Sequence, residues 1–290
     1  MGVNMFSKFK YFLALSSTLF VVSVSAQNIE FGIYGGVSNY IGDVSEQKMR
    51  FDQFHPSAAI MGRYNVSQRF TLKGMIAYGK ISGADSLASN AKNKMRNTNF
   101  NSDIYEFSVH AEYNLVPNRL SDRGGRPFVP YIFGGIGIFH FNPKTSFQGN
   151  EYELQPLGTE GQGTTQYNNL KKYDLTTICL PMGVGIKKRV SRSFVVGVEA
   201  GFRFTFTKYL DDIGGKYANA NVVSRAYGPT AGSLANRTGE VASDYPDLKT
   251  AIEGDFRTTP GIILGTDMYF LAGFSISYIF QNPGMLCPRL

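Results

Sequence analysis

Apolar and polar residues alternate with a period of two along much of the chain. The clearest run sets Tyr105, Phe107, Val109, Ala111, Tyr113 and Leu115 against Glu106, Ser108, His110, Glu112 and Asn114. A period of two marks a strand with unlike faces, one fit for lipid or a core and the other not. The same pattern predicts strands over residues 29–38 (Phe31, Ile33 and Val37 outward), 57–65 (Ala58, Ile60, Tyr64) and 69–81 (Phe70, Leu72, Ile76, Tyr78). It continues over residues 174–188 (Ile178, Leu180, Met182, Val184, Ile186), 194–207 (Val196, Val198, Phe202, Phe204, Phe206) and 267–281 (Phe270, Phe274, Ile276, Tyr278, Phe280). Residues 128–141 do not declare a face, because Val129, Tyr131, Phe133, Phe139 and Phe141 oppose an equally apolar Pro130, Ile132, Ile136 and Ile138. About eight strands result, each near the length a tilted strand needs to cross a bilayer.

The connections alternate in length. Residues 39–56, 82–101, 142–173 and 208–266 are long, whereas 66–68, 117–127 and 189–193 are short. Tight turns on one side and long loops on the other predict an all-β, antiparallel up-and-down transmembrane barrel. With the first strand starting in the periplasm, the long loops are extracellular. A soluble lipocalin-like barrel would show the same alternation with its faces inverted. The charge content of the polar face favours the membrane.

The N-terminus carries Lys8 and Lys10, an apolar run over residues 11–24, and small residues up to Ala26. This is the pattern of a secretory signal peptide. The expected organisation is a signal peptide over 1–26, an outer-membrane barrel over 27–281, and a periplasmic tail over 282–290. Loss of Lys8 and Lys10 takes the formal net charge from +7 to +5. The mean hydropathy of −0.15 resembles that of a soluble protein, but alternating faces average to neutral in a barrel. The 23 Phe, 17 Tyr and 32 Gly suit strands with aromatic girdles. Cys179 falls within a strand and Cys287 in the tail, so a bridge between them is not expected.

With polar faces inward, the lumen receives Glu30, Arg63, Lys73, Glu106, His110, Glu112, Lys187, Glu199 and Arg203. Leaving His110 aside, the acids match the bases in number. An eight-stranded barrel is just wide enough for side chains to fill it, so a paired network and a closed lumen are expected. His55, His110 and His140 lack metal-ligand spacing. His110 with Glu106 and nearby serines could form a hydrolytic set, but a lumen histidine bonded to a carboxylate is the commoner arrangement. No catalytic residue, cofactor or metal is expected. Gly134-Gly135-Ile136-Gly137 and Gly183-Val184-Gly185 lack the following helix of a phosphate loop and mark close backbone approach.

The short turns carry Arg69, then Arg119, Arg123 and Arg126, then Lys187, Lys188, Arg189 and Arg192, with Asp122 the only acid. Such a basic periplasmic rim can meet lipid headgroups or steer an acidic partner. The last loop, 208–266, is too long for a passive connection. Its Tyr245-Pro246-Asp247 is placed to precede a helical turn over 248–253.

Several segments resemble the PorG family of outer-membrane barrels of the Bacteroidetes type IX secretion system. They are residues 36–43 (Gly-Val-Ser-Asn-Tyr-Ile-Gly-Asp), 130–137, 154–163 (Leu-Gln-Pro-Leu-Gly-Thr-Glu-Gly-Gln-Gly), 181–185 and 209–213 (Tyr-Leu-Asp-Asp-Ile). The resemblance implies a non-enzymatic component that holds a periplasmic ring of PorK and PorN against the outer membrane. The partners expected are therefore PorK, PorN and outer-membrane lipid, and not nucleic acid. A general OmpA-like barrel for adhesion or envelope integrity is the other reading.

Overall fold

The computed structural model describes residues 29–46, 48–118, 128–259 and 266–280. The expected signal peptide and tail lie outside the described residues. The strands, in chain order, are β1 (Ile29–Ile41), β2 (His55–Asn65), β3 (Phe70–Ala84), β4 (Asn99–Asn114), β5 (Phe128–Phe141), β6 (Lys144–Phe147), β7 (Asn150–Glu153), β8 (Thr176–Arg189), β9 (Phe194–Thr205) and β10 (Met268–Ile279). All but the β6–β7 hairpin form one antiparallel barrel of eight strands, each paired with its neighbour around the ring. β1 against β10, from Glu30↔Ile279 to Ile41↔Met268, closes it. Closure leaves no strand edge and satisfies the backbone within the wall, the condition for β-structure to cross lipid.

The pleat sorts the side chains as the alternation predicts. Phe31, Ile60, Ile76, Phe107, Val184 and Phe274 are exposed on the outer face. The ambiguous strand β5 turns Phe128, Ile132, Ile136 and Ile138 outward, and buries Val129, Tyr131, Phe133, Phe139 and Phe141 in the lumen. Aromatic pairs mark two outer belts. At the turn end Phe31 meets Phe280, Phe194 meets Tyr278, and Phe70 meets Tyr113. At the loop end Tyr78 meets Tyr105, and Phe202 meets Phe270. Phe70 and Tyr78 are eight residues apart on β3, about 26 Å of strand. Tilting shortens that toward the height of an apolar band between two aromatic girdles.

The loop end is more ordered than the sequence predicts. β3 and β4 stay paired as far as Ala84↔Asn99, so much of the expected loop 82–101 is strand standing above the membrane. Within 142–173, β6 and β7 form a hairpin turned by Gln148 and Gly149, both at positive φ. The described residues of the long loops also hold short α-helices, in chain order α1 (Ala91–Arg96), α2 (Leu154–Leu157), α3 (Ala220–Tyr227) and α4 (Pro229–Ala235).

The helical turn expected over 248–253 does not form. Just beyond it, residues 254–257 run alongside residues 215–217, with the Tyr217 N–H donating to the Asp255 carbonyl at 2.9 Å and the Arg257 N–H to the Gly215 carbonyl at 3.0 Å. Helix appears earlier in the loop, where the Asn219 side chain caps α3 and Pro229 opens α4. Both are standard helix-start signals.

Candidate functional site

Three places hold side chains able to do more than close the wall: the lumen, the cap made by the long loops, and the rim of short turns.

In the lumen all nine predicted residues are buried, none more than 4% exposed. Glu112 on β4 is the hub. It accepts from Arg63 Nε at 3.0 Å and Lys187 Nζ at 2.8 Å, and pairs with Lys73 at 3.6 Å. Glu199 on β9 takes Lys73 at 2.7 Å, Arg63 at 3.6 Å and the Tyr131 hydroxyl at 2.8 Å. Glu106 takes Arg203 at 3.3 Å and the hydroxyls of Tyr269 and Ser108. Glu30 is met by the Asn65 amide and the Ser277 hydroxyl. The apolar inner residues of β5 serve the same network, since Lys73 lies over the Phe133 ring at 4.7 Å and Lys187 over Tyr131 at 4.8 Å.

His110 stacks on Phe133 and its Nε2 lies 2.9 Å from the Ser108 hydroxyl. That hydroxyl donates to Glu106 at 2.6 Å. Serine therefore sits between acid and histidine. Hydrolytic catalysis needs histidine in the middle, with its other nitrogen oriented by the acid. Here Nδ1 of His110 has no partner among the described residues, and the whole group is buried. The arrangement is a structural network.

The cap joins all four long loops. Arg96 of α1 grips Asp85 through two bonds, Nε–Oδ2 at 2.8 Å and Nη2–Oδ1 at 2.6 Å. It also donates to the carbonyls of Arg257 at 2.7 Å and Asp43 at 3.0 Å. Arg257 donates to Thr159 at 2.9 Å and pairs with Glu160 at 3.7 Å and Asp212 at 3.8 Å. Glu160 accepts from the backbone of Gly214 and Gly215, both at 3.2 Å. The Tyr173 hydroxyl donates to Asp212 at 2.8 Å. Beneath them Leu210, Ile213, Leu154 and Val44 pack on Ile81, Phe100 and Phe141, so the cap shares its core with the top of the lumen.

Asp43, Asp211 and Asp267 bring carboxylate oxygens within 4.8 Å of one another, the one such gathering of metal-competent side chains among the described residues. Their oxygens are already engaged by the Tyr40 hydroxyl and by the N–H groups of Val44, Leu210, Ile213 and Thr259. Burial pushes all three carboxyls up, and that of Glu160 to about 7 despite Arg257 beside it.

Sequence reasoning missed these cap residues as a set, yet three of the resemblance segments meet here. Residues 36–43 supply Tyr40, Gly42 and Asp43; residues 154–163 supply Thr159 and Glu160; residues 209–213 supply Asp211 and Asp212. Gly42 is forced, because a Cβ there would sit 2.0 Å from the Tyr40 oxygen and 2.3 Å from Asp267. Gly158, at φ 51°, likewise lies against the Tyr227 ring.

The rim is thinner than predicted. Lys187, expected there as well as in the lumen, is wholly a lumen residue, since the pleat turns it inward onto Glu112. Lys188 points outward over the Phe128 ring at 4.3 Å. Arg69 donates to the Leu115 carbonyl at 3.3 Å, and Arg189 to the Ser191 carbonyl at 3.1 Å. Arg192 is exposed in the same turn. Arg119, Arg123 and Arg126 lie outside the described residues.

Comparison with known proteins adds the family. The model of a domain of unknown function, DUF6089, matches residues 9–230. The chain belongs to the DUF6089 family. The DUF6089 match takes in β1 to β9 and the three cap segments named above. A search of curated proteins finds no match. Among solved structures, this DUF6089 chain is similar to the outer membrane protein OprG from Pseudomonas aeruginosa, at 10% identity and TM-score 0.40 over 88% of this chain and 98% of that one. It is also similar to Ail of Yersinia pestis, at 10% identity and TM-score 0.39 over 87% and 98%. Neisserial surface protein A gives 9% identity and TM-score 0.38 over 87% and 97%. The fold itself rests on the strand register: this DUF6089 protein is a closed, eight-stranded antiparallel β-barrel.

Proposed function

We propose that the chain is a non-conducting, non-enzymatic outer-membrane scaffold of the OmpA-like kind, and that its working part is the rigid extracellular cap, acting in surface contact and envelope integrity. The sealed lumen carries this reading. A barrel filled by buried ion pairs offers no path for solute, and an enzyme would need a reachable nucleophile. The cap, by contrast, is built from long loops locked by buried charges, an ordering that contact surfaces need and passive connections do not.

The test is twofold. Purified protein in planar bilayers is expected to give no steady conductance, and Lys249→Cys in a Cys287→Ser background is expected to react with a membrane-impermeant maleimide on intact cells. Steady channels, or labelling seen only after permeabilisation, would sink the proposal.

A second reading follows from the sequence resemblance: the periplasmic rim holds the PorK/PorN ring. Arg69, Lys188, Arg189 and Arg192 supply a basic surface that would suit an acidic partner. Charge reversal at Arg69, Lys188 and Arg189 is then expected to reduce co-purification of the ring proteins while the barrel still assembles. Unchanged co-purification removes this reading.

A further inference from the structure

The outer wall of the barrel holds an apolar furrow of about 790 Å³ that crosses the strands from β1 to β8. Its two sides are set by register. Ile33, Ile60, Ile76, Phe107 and Ile138 stand opposite one another on β1 to β5 and form one ridge. Two residues nearer the loop end, Ala58, Tyr78, Tyr105 and His140 form the next, which finishes at Thr176 on β8. On β1 the same level is Gly35, where an added Cβ would meet nothing within 4 Å, so the furrow is open there. Residues between the ridges, such as Ala59, Ala77 and Phe139, turn inward and are buried, so the floor is backbone. Ridges two residues apart leave a gap of about 7 Å, the width of one hydrocarbon chain. On β9 and at the end of β10 aromatic rings close that gap: Phe202 meets Phe204 at 6.4 Å, and Tyr278 meets Phe280 at 5.2 Å. Tyr78 instead meets Tyr105 along its own ridge, and the furrow stays clear.

The furrow climbs as it crosses. It starts at Ile33, the fifth residue of β1 from the turn end, and finishes at Thr176, the first residue of β8 at the loop end. Five inter-strand gaps of about 4.8 Å make it about 24 Å long. Strands tilted by about 40° incline it equally, so it spans about 15 Å of depth, the hydrocarbon of one leaflet. Its upper end is polar, because His140 and Thr176 are exposed there and joined Nδ1 to Oγ1 at 3.0 Å. Tyr78 likewise sends its hydroxyl toward the loop end, to Asp103 at 2.8 Å.

We infer that this furrow holds one acyl chain of an outer-leaflet lipid, with the headgroup at His140 and Thr176 and the chain end at Ile33. A neighbouring barrel is convex and would bridge the ridges, leaving the floor empty, whereas a flexible chain fills it. Wall and lipid are both apolar, so the preference comes from close packing and is modest. The inference rests on the proposed outer-membrane reading, with the long loops outside.

The protein has no tryptophan, so a single introduced tryptophan reports its own surroundings. Phe107→Trp puts it in the furrow; Phe274→Trp puts it on the opposite wall, four strands away around the ring, at a residue 72% exposed. Each full-length variant, in detergent micelles, is titrated with brominated phosphatidylcholine, which quenches tryptophan on contact. The Phe107→Trp variant is expected to reach half-quenching at about one-fifth of the lipid that Phe274→Trp needs. Adding Ala58→Phe, which copies the rings that close the gap on β9, is expected to bring the Phe107→Trp variant to the far-wall value. Ala58 is exposed on the outer face, so the fold, checked by heat-dependent gel mobility, is kept. Equal half-points at the two positions would report ordinary surrounding lipid only and overturn the inference, as would an Ala58→Phe variant that changes nothing. Later quenching of Phe107→Trp than of Phe274→Trp would put a second copy of the chain on this face, and would overturn it too. Failure of the membrane reading looks different: in vesicles of the brominated lipid, neither tryptophan would then be quenched.

Discussion

Glu112→Ala is expected to destabilise the barrel by about 3–5 kcal/mol, the usual loss when one partner of a buried ion pair is removed and the other charge stays buried. The geometry places this variant toward the upper end. Glu112 meets Arg63, Lys73 and Lys187 together, and Glu199, the other acid near Arg63 and Lys73, cannot answer three cations alone. Urea titration of the purified barrel, followed by its heat-dependent gel mobility, measures the loss. Removing one orphaned cation as well, in Glu112→Ala with Lys187→Ala, is expected to recover part of it, because residues of one network do not act additively. A midpoint unchanged in Glu112→Ala would mean that the lumen is wet and the pairs are solvated, and the case for a closed barrel would fall with it.

The network was legible in sequence because a barrel wall forces its inner residues into one space. Once the period of two assigned Arg63, Lys73, Glu112, Lys187 and Glu199 to the polar face, no other place remained for them. Strand β5 was not legible, and the reason is physical. Its inner face is apolar because the lysines there need aromatic surface: Phe133 lies under Lys73 and Tyr131 under Lys187. Alternation cannot report a lumen that is aromatic in one sector and charged in the rest. Lys187 could be counted on the rim as well as in the lumen because it lies one residue from the end of its predicted strand, where sequence alone does not show how far the side chain reaches down the lumen; it reaches Glu112.

The cap was least legible. Its contacts join Tyr40 to Asp211 and Arg96 to Asp43 and Arg257, spans over which no local pattern exists. The glycines left a trace, since Gly42 and Gly158 mark places where a side chain would collide. Those glycines lie in segments already set apart by resemblance, which fixed the residues without showing that they meet.

The cap should also answer to pH in a direction opposite to that of most carboxylate-rich structures. A carboxyl whose pKa is lowered by folding stabilises at high pH; one whose pKa is raised does the reverse. Glu160 stands at about 7 in the folded cap against an ordinary value of 4.5, chiefly because burial disfavours its charged form. Arg257 and the N–H groups of Gly214 and Gly215 favour ionisation, Asp212 opposes it, and burial prevails. Folding therefore takes up a proton between these two values, so cap stability is full below about pH 4.5 and falls as pH rises to about 7. At ~1.4 kcal/mol per pH unit, the loss from this residue is about 3 kcal/mol. Asp43, Asp211, Asp212 and Asp267 shift the same way for the same reason and add to it. Hydrogen exchange of residues 209–217 is expected to be better protected at pH 5 than at pH 8 once intrinsic exchange rates are corrected for. Glu160→Gln keeps an acceptor for the two glycine amides but cannot ionise, and is expected to raise protection at pH 8 toward the wild-type level at pH 5. If protection instead rises with pH, or the glutamine variant is the less protected at pH 8, then Arg257 rather than burial governs Glu160. The cap would in that case be held by a conventional ion pair.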